Sequence, residues 1–139
     1  MKNFKLEKGR GYAYQIAYHI AWCTKDRQPV FDRLEYQDAL SNILYSIADE
    51  KKFVIHQMYV QEDYVHVLLS CKPQHYVPDM VKALKGISAR KLQIQLPQLQ
   101  KKMKDASHIW DSSYMIVSGF SDVKEEIEEY ILNYKVYRK

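Results

Sequence analysis

Three sets of side chains in this sequence could do chemistry. The first is Tyr64 and His66, two apart in an apolar run over 64–71. On a strand that spacing puts both on one face, with Leu68 and Ser70, and turns Val65, Val67 and Leu69 to the other. An imidazole beside a phenol can face a divalent ion. A single His on a half-buried strand is more often just satisfied by a hydrogen bond. The second set is Tyr130 with Tyr134 four residues on. A tyrosine hydroxyl can attack a phosphate, but its ordinary pKa near 10 calls for a polarised target or a neighbouring base. On spacing alone Val123, Ile127, Tyr130, Ile131 and Tyr134 form a buried helical stripe, which makes both tyrosines core aromatics. Glu125, Glu128 and Glu129 take the remaining face.

The third set is cationic. From Met80 to Lys104 there are seven Lys or Arg and no Asp or Glu, which favours a phosphate-contacting surface over an ordinary solvated face. At about 100° per residue, Lys82, Lys85 and Arg90 share one arc of a helix, and Met80, Val81, Leu84 and Ile87 another. Lys101, Lys102 and Lys104 extend the run, and Lys25 is a further candidate for phosphate contact. Trp110 and Tyr114 are close in sequence. They are either stacking platforms for unpaired bases or core residues.

Elements must position these groups. From Gly11 the alternation is strict: Tyr12, Tyr14, Ile16, Tyr18, Ile20 and Trp22 on one parity, Ala13, Gln15, Ala17, His19, Ala21 and Cys23 on the other. That predicts one long strand. Asp32 and Glu35 have the spacing of a capping box before a helix carrying Tyr36, Leu40, Ile43, Leu44 and Ile47. Residues 53–60 and 64–71 read as a hairpin around Gln61–Asp63. Pro78 suits the first turn of a helix and Pro97 its end. A short strand at 113–118 stops at Gly119, and a last helix starts near Ser121 or Asp122. The order β-α-β-β-α-β, then a helix bearing the tyrosine, predicts an α+β, ferredoxin-like antiparallel sheet. Its first and third strands should be central and one face open.

The chain has 139 residues, enough for one domain at 11–139 that folds without a disulfide or metal; residues 1–10, with Lys2, Lys5, Lys8 and Arg10, read as a mobile basic arm. At 47% hydrophobic and 27% charged, the composition excludes a disordered tail. No apolar run approaches a membrane span, and no export leader is read. Two cysteines make no framework and fit a reducing cytosol. A net charge of +4 is compatible with nucleic acid without requiring it.

Five blocks, standing in order, carry a resemblance. They are Tyr18-His19-Ile20-Ala21-Trp22-Cys23, Tyr64-Val65-His66-Val67-Leu68-Leu69-Ser70, the run Lys82 to Arg90, Ile109-Trp110-Asp111-Ser112-Ser113-Tyr114, and Tyr130-Ile131-Leu132-Asn133-Tyr134. Together, over about Gly9 to Tyr134, the chain resembles the TnpA-type single-tyrosine HUH transposases of small bacterial insertion sequences, to which REP-associated tyrosine transposases are related. The resemblance implies a cytoplasmic homodimer that binds a single-stranded DNA hairpin. It implies a magnesium or manganese ion held by a His-hydrophobic-His pair and a Gln, and strand cleavage and rejoining through a 5′-phosphotyrosine. Tyr130 stands at the nucleophile and His66 at the second His. Tyr64 stands where the first His belongs, and Tyr134 where the Gln belongs. A neutral phenol is a poor magnesium ligand, so the resemblance implies hairpin binding with impaired metal-dependent cleavage. Asp63 and Glu62 are substitute oxygen donors beside the site. The alternatives are a fully active transposase with an unusual metal site, a repurposed regulator gripping a DNA or RNA hairpin, and a basic globular protein with no nucleic-acid role.

Overall fold

The computed structural model describes residues 5–103 and 108–139; Lys2 of the basic arm and Lys104 of the cationic run lie outside them. A small hairpin opens the described chain. Strand β1 (Glu7–Gly9) pairs with β2 (Tyr12–Tyr14), and Gly11 turns between them at a left-handed φ of 84°. The Tyr12 ring lies where a Cβ on Gly9 would go. The segment expected to be a mobile arm is therefore paired backbone from Glu7 onward. The long strand expected from Gly11 is two strands, interrupted at Gln15 and Ile16.

The main elements follow as β3 (Ala17–Cys23), α1 (Leu34–Lys51), β4 (Val54–Val60), β5 (Tyr64–Ser70), α2 (Val77–Lys82), α3 (Ser88–Gln95), β6 (Met115–Ser118) and α4 (Lys124–Asn133). A wide π-type turn over Ala83–Ile87 joins α2 to α3. The sheet order is β4-β5-β3-β6 with every neighbouring pair antiparallel. This is the ferredoxin-like α+β arrangement, with β3 and β5 central.

Helix α1 buries Tyr36, Leu40, Ile43, Leu44 and Ile47, the residues its 3.6-residue period selects. The expected capping box does not form. Arg33 is the N-cap and offers no side-chain bond to the helix. Asp32 instead receives Lys102 Nζ at 2.7 and 2.8 Å, and Glu35 pairs with Arg33 at 3.0 Å. Ion pairs have taken the two carboxylates. Pro78 does sit in the first turn of α2, and α3 ends just before Pro97.

The sheet separates two apolar clusters. On one face Ile20, Trp22, Val65, Val67 and Leu69 pack against α1, α2 and α3 through Leu40, Leu44, Met80, Leu84 and Leu92. The other face is not open as expected. Helix α4 covers part of it, laying Tyr130, Ile131 and Tyr134 on Ala21 and Cys23, with Tyr64, Met115 and Ile127 at the margin. The small side chains at 21 and 23 leave the depth that the Tyr130 ring fills. Among the described residues no helix is long and apolar enough to cross a membrane.

Candidate active site

Strand register decides which groups meet. Antiparallel pairing of β3 with β5 sets Ala21 opposite His66 and Cys23 opposite Tyr64. Tyr59 on β4 lies opposite His66 from the other side, its ring stacked on the imidazole at 5.6 Å between centroids. His66 Nε2 lies 3.0 Å from Nδ1 of His19, whose ring stacks on that of His66 at 5.2 Å. Burial, reinforced by His19, pushes His66 down to about 4. Burial also lowers His19, against the opposing pull of the Ser121 backbone, Asp122 and Glu126. His19 is 3% exposed. Sequence reasoning missed this residue. Its signal was present, since alternation put His19 on the small-residue face with Ala17, Ala21 and Cys23. The register that brings it to His66 is long-range information.

Tyr130 is buried, with its hydroxyl 2.7 Å from Ser113 Oγ and 4.0 Å from Cys23 Sγ. Ser113 Oγ donates to Asp111 Oδ2 at 2.7 Å, and Asp111 Oδ1 receives Arg138 Nε at 2.7 Å. The polarity of this chain follows from its end. A carboxylate only accepts, so the single Ser113 proton points to Asp111 and Ser113 Oγ accepts from Tyr130. Burial raises the Tyr130 hydroxyl far above the ordinary tyrosine range, and likewise lifts Cys23 to about 12. Ser113 and Asp111 are partners that the sequence reading did not assign, although they lie in the block around Trp110. The ring stacked on Tyr130 belongs to Tyr137, at 6.1 Å, rather than to Tyr134.

The metal set expected by resemblance does not fit an oxygen-loving ion. Tyr64, Tyr130 and Tyr134 do share one cluster, centred two residues along the strands from His66. Yet Tyr134 is buried beneath the Arg138 guanidinium at 5.3 Å, and burial raises its hydroxyl further. The His66 Nε2 is already engaged by His19. Asp63, a candidate substitute donor, is held by Arg27 through Nε and Nη2 at 3.0 Å. Glu62 is exposed and its backbone carbonyl accepts from Phe31. Among the described residues no three His, Cys, Asp or Glu side chains cluster as metal ligands.

The cationic candidates separate. Lys25, Lys82 and Lys85 line a groove of about 960 Å³ together with Arg138, Lys139 and His108, against Asp79 and Asp111. Lys82 is exposed there. Lys85 donates instead to the backbone carbonyls of Asp111 and Ser113 at 2.6 and 3.0 Å, and burial lowers it to about 8. It ties the turn between α2 and α3 to the segment carrying Ser113, just ahead of β6. Arg90 is exposed on α3 outside the groove lining. Trp110 is a correction. It is only 7% exposed, stacked on Phe31, edge-on to Trp22, and donates Nε1 to Ser88 Oγ at 3.0 Å. Its ring faces are spent in the core, whereas Tyr114 is half-buried at the groove wall.

Comparison with known proteins matches residues 12–134 to the model of the IS200-like transposases. The ISDra2 transposase TnpA of Deinococcus radiodurans is 42% identical over 127 residues, covering 91% of this chain and 89% of that protein. A crystal structure described as a transposase from Deinococcus radiodurans R1 superposes with a TM-score of 0.85 at 39% identity, covering 91% of this chain and 96% of that one. A REP-associated tyrosine transposase bound to a REP hairpin superposes with a TM-score of 0.55 at 13% identity, over 93% of this chain and 73% of that one, a likeness of fold alone.

Proposed function

This chain belongs to the IS200-like transposases, and on that premise we propose that it grips a single-stranded DNA hairpin as a homodimer and aims Tyr130 at a phosphodiester. The observation that carries this reading is the helix α4, which lays Tyr130 on the same sheet face as His66. In the reaction the Tyr130 oxygen bonds to phosphorus and the bond from phosphorus to the 3′ oxygen breaks. The 3′ oxygen leaves as a hydroxyl, and the 5′ phosphate stays on the tyrosine. The phenol's proton has a route through Ser113 to Asp111. Attack by the reverse path rejoins a strand.

Cleavage supported by magnesium is impaired. Magnesium demands oxygen ligands in octahedral array. Two neutral phenols and one engaged imidazole do not supply them. Binding rests on other groups. The groove holding Lys25 and Lys82 offers cations for hairpin phosphates, and Arg90 extends that surface along α3.

One native gel beside one denaturing gel tests the reading. The protein is mixed with single-stranded oligonucleotides from both flanks of its own gene, in magnesium, in manganese and in chelator. The expected result is a native shift with a weak or absent covalent band in magnesium. Tyr130→Phe removes any covalent band and keeps the shift. No shift by DNA, or a shift only by RNA hairpins of the same sequence, overturns the DNA reading. A strong magnesium-dependent band overturns the impairment. Light scattering that reports a monomer removes the homodimer.

A further inference from the structure

Three rings stand in a row across the sheet. His19 on β3 stacks on His66 of β5 at 5.2 Å and 25°, and His66 stacks on Tyr59 of β4 at 5.6 Å and 19°. The row ends at Tyr59, because β4 is an edge strand and among the described residues no strand lies beyond it. Antiparallel pairing sets Tyr59 directly opposite His66, so both stand on the face that carries Tyr64, Tyr130 and Tyr134. His19 and His66 are buried, whereas Tyr59 is 49% exposed and belongs to neither apolar cluster. One face of its ring is covered by His66, and the other is left to solvent.

We propose that Tyr59 is the stacking platform for an unpaired base of the strand that Tyr130 attacks, the base continuing the row of His19, His66 and Tyr59 past the edge of the sheet.

Stacking needs a flat aromatic face with open space above it, and every base offers such a face in return. Here the face is already oriented, since contact with His66 holds the Tyr59 ring close to parallel with the imidazole. A ring fixed in advance lowers the ordering cost of binding. The neighbours favour a base over an apolar partner. Gln57, half-buried, and Gln61, exposed, lie two residues to either side of Tyr59, on the same face by strand parity. The Gln61 backbone N–H donates to the Tyr64 carbonyl at 2.8 Å, so the ladder continues to that position. Each carboxamide carries donors and an acceptor, the groups that a base edge pairs with. A second copy of this chain would gain from an apolar rim, and this rim is amide. The position also suits a base beside the reacting phosphate. Strands about 4.8 Å apart put Tyr59 roughly 10 Å across the sheet from the β3 column of Ala21, on which Tyr130 lies. A base on Tyr59 therefore flanks the phosphate facing Tyr130 without taking its place. The proposal rests on the reading of Tyr130 as nucleophile.

The test walks 2-aminopurine, and then 5-iodouracil, one position at a time through single-stranded oligonucleotides from both flanks of the protein's own gene. Binding to the full chain is measured in chelator, so that no metal enters. Stacking on a tyrosine quenches 2-aminopurine. One position quenched beyond its value in the free oligonucleotide is expected, and ultraviolet light should crosslink 5-iodouracil at that position to Tyr59, located by mass spectrometry. Tyr59→Ala should remove the quench and weaken binding about fivefold or more, while Tyr59→Phe keeps both. Tyr45→Ala, at an equally exposed tyrosine on α1 behind the sheet, should change neither. Quenching that survives Tyr59→Ala, or crosslinks that form only to other residues, overturn the platform. So does light scattering that finds Tyr59→Ala monomeric where the wild type is a dimer, since the ring then belongs to a contact between copies. Should Tyr59→Ala fail to fold, the crosslink in the wild-type protein decides alone. If the wild type binds these oligonucleotides with no quenched position, the platform fails and the transposase reading stands; if it binds none of them, both fail.

Discussion

The phenol of Tyr130 depends on a single serine, so removing that serine tests its whole environment. Ser113→Ala leaves the Tyr130 hydroxyl buried without its 2.7 Å partner and takes away the hydrogen held to Asp111. It should lower the unfolding free energy by about 1–3 kcal/mol in urea; an unchanged midpoint would show that the chain of hydroxyls does not form. Lys85→Ala should act the same way, because it strips a donor from two carbonyls. Its melting temperature should fall before its affinity for a hairpin does. His66 gives a pH signature. Its folded pKa of about 4 lies below the ordinary 6.5, so the unfolded chain takes the proton first as pH drops. The stability tied to neutral His66 is complete above about pH 6.5 and is lost toward pH 4, at about 1.4 kcal/mol per unit from this group. Measured in chelator, His66→Asn should be flatter than wild type over that window. Tyr130 and His66 were legible as residue types at strand and helix spacings. His19 was not, because only the pairing of β3 with β5 reveals its partner. Trp110 misled for the converse reason: a lone indole near lysines looks the same in sequence whether it faces solvent or Trp22.

At the scale of elements, the last helix is held at its C-terminal end by two arginines. Arg27 Nη1 donates to the Ile131 carbonyl at 3.3 Å, and Arg138 clamps Asp111 and Asp26 just after the helix ends. Arg138→Ala should loosen α4 ahead of the rest, since Asp111 is buried and loses a charged donor worth about 1.5–3 kcal/mol. Amide exchange of α4 should quicken while that of β3 and β5 stays slow. Uniform quickening would mean that α4 and the sheet open together. The helices and the β4–β5 hairpin were readable because period 3.6 and period 2 are local patterns. The gap at Gln15–Ile16 was not, because the alternation runs through it unbroken while the backbone leaves one ladder for another. The failed capping box has the same origin: Lys102, 70 residues away, claims Asp32.

At the scale of the whole molecule, the sheet order followed from element order, but the occupancy of its second face did not. Sequence placed a tyrosine on a terminal helix without saying where the helix would lie. The cationic groove is likewise an assembled feature, since Lys25 precedes α1, Lys82 ends α2 and Lys139 comes from the far end of the chain. Lys25→Ala with Lys82→Ala should weaken hairpin binding and reduce the slope of log affinity against log salt by about 0.7 for each single-strand phosphate no longer neutralised. A parallel line at lower affinity would place the phosphates elsewhere. The two apolar clusters on opposite faces each contain one reduced cysteine, Cys23 beneath Tyr130 and Cys71 in the larger core. Nature has thereby fitted the protein with a pair of thiol clocks. A maleimide that modifies Cys23 ahead of Cys71 reports that α4 has lifted while the main core stayed shut, and a nucleic-acid partner that draws Tyr130 out would start the first clock without touching the second.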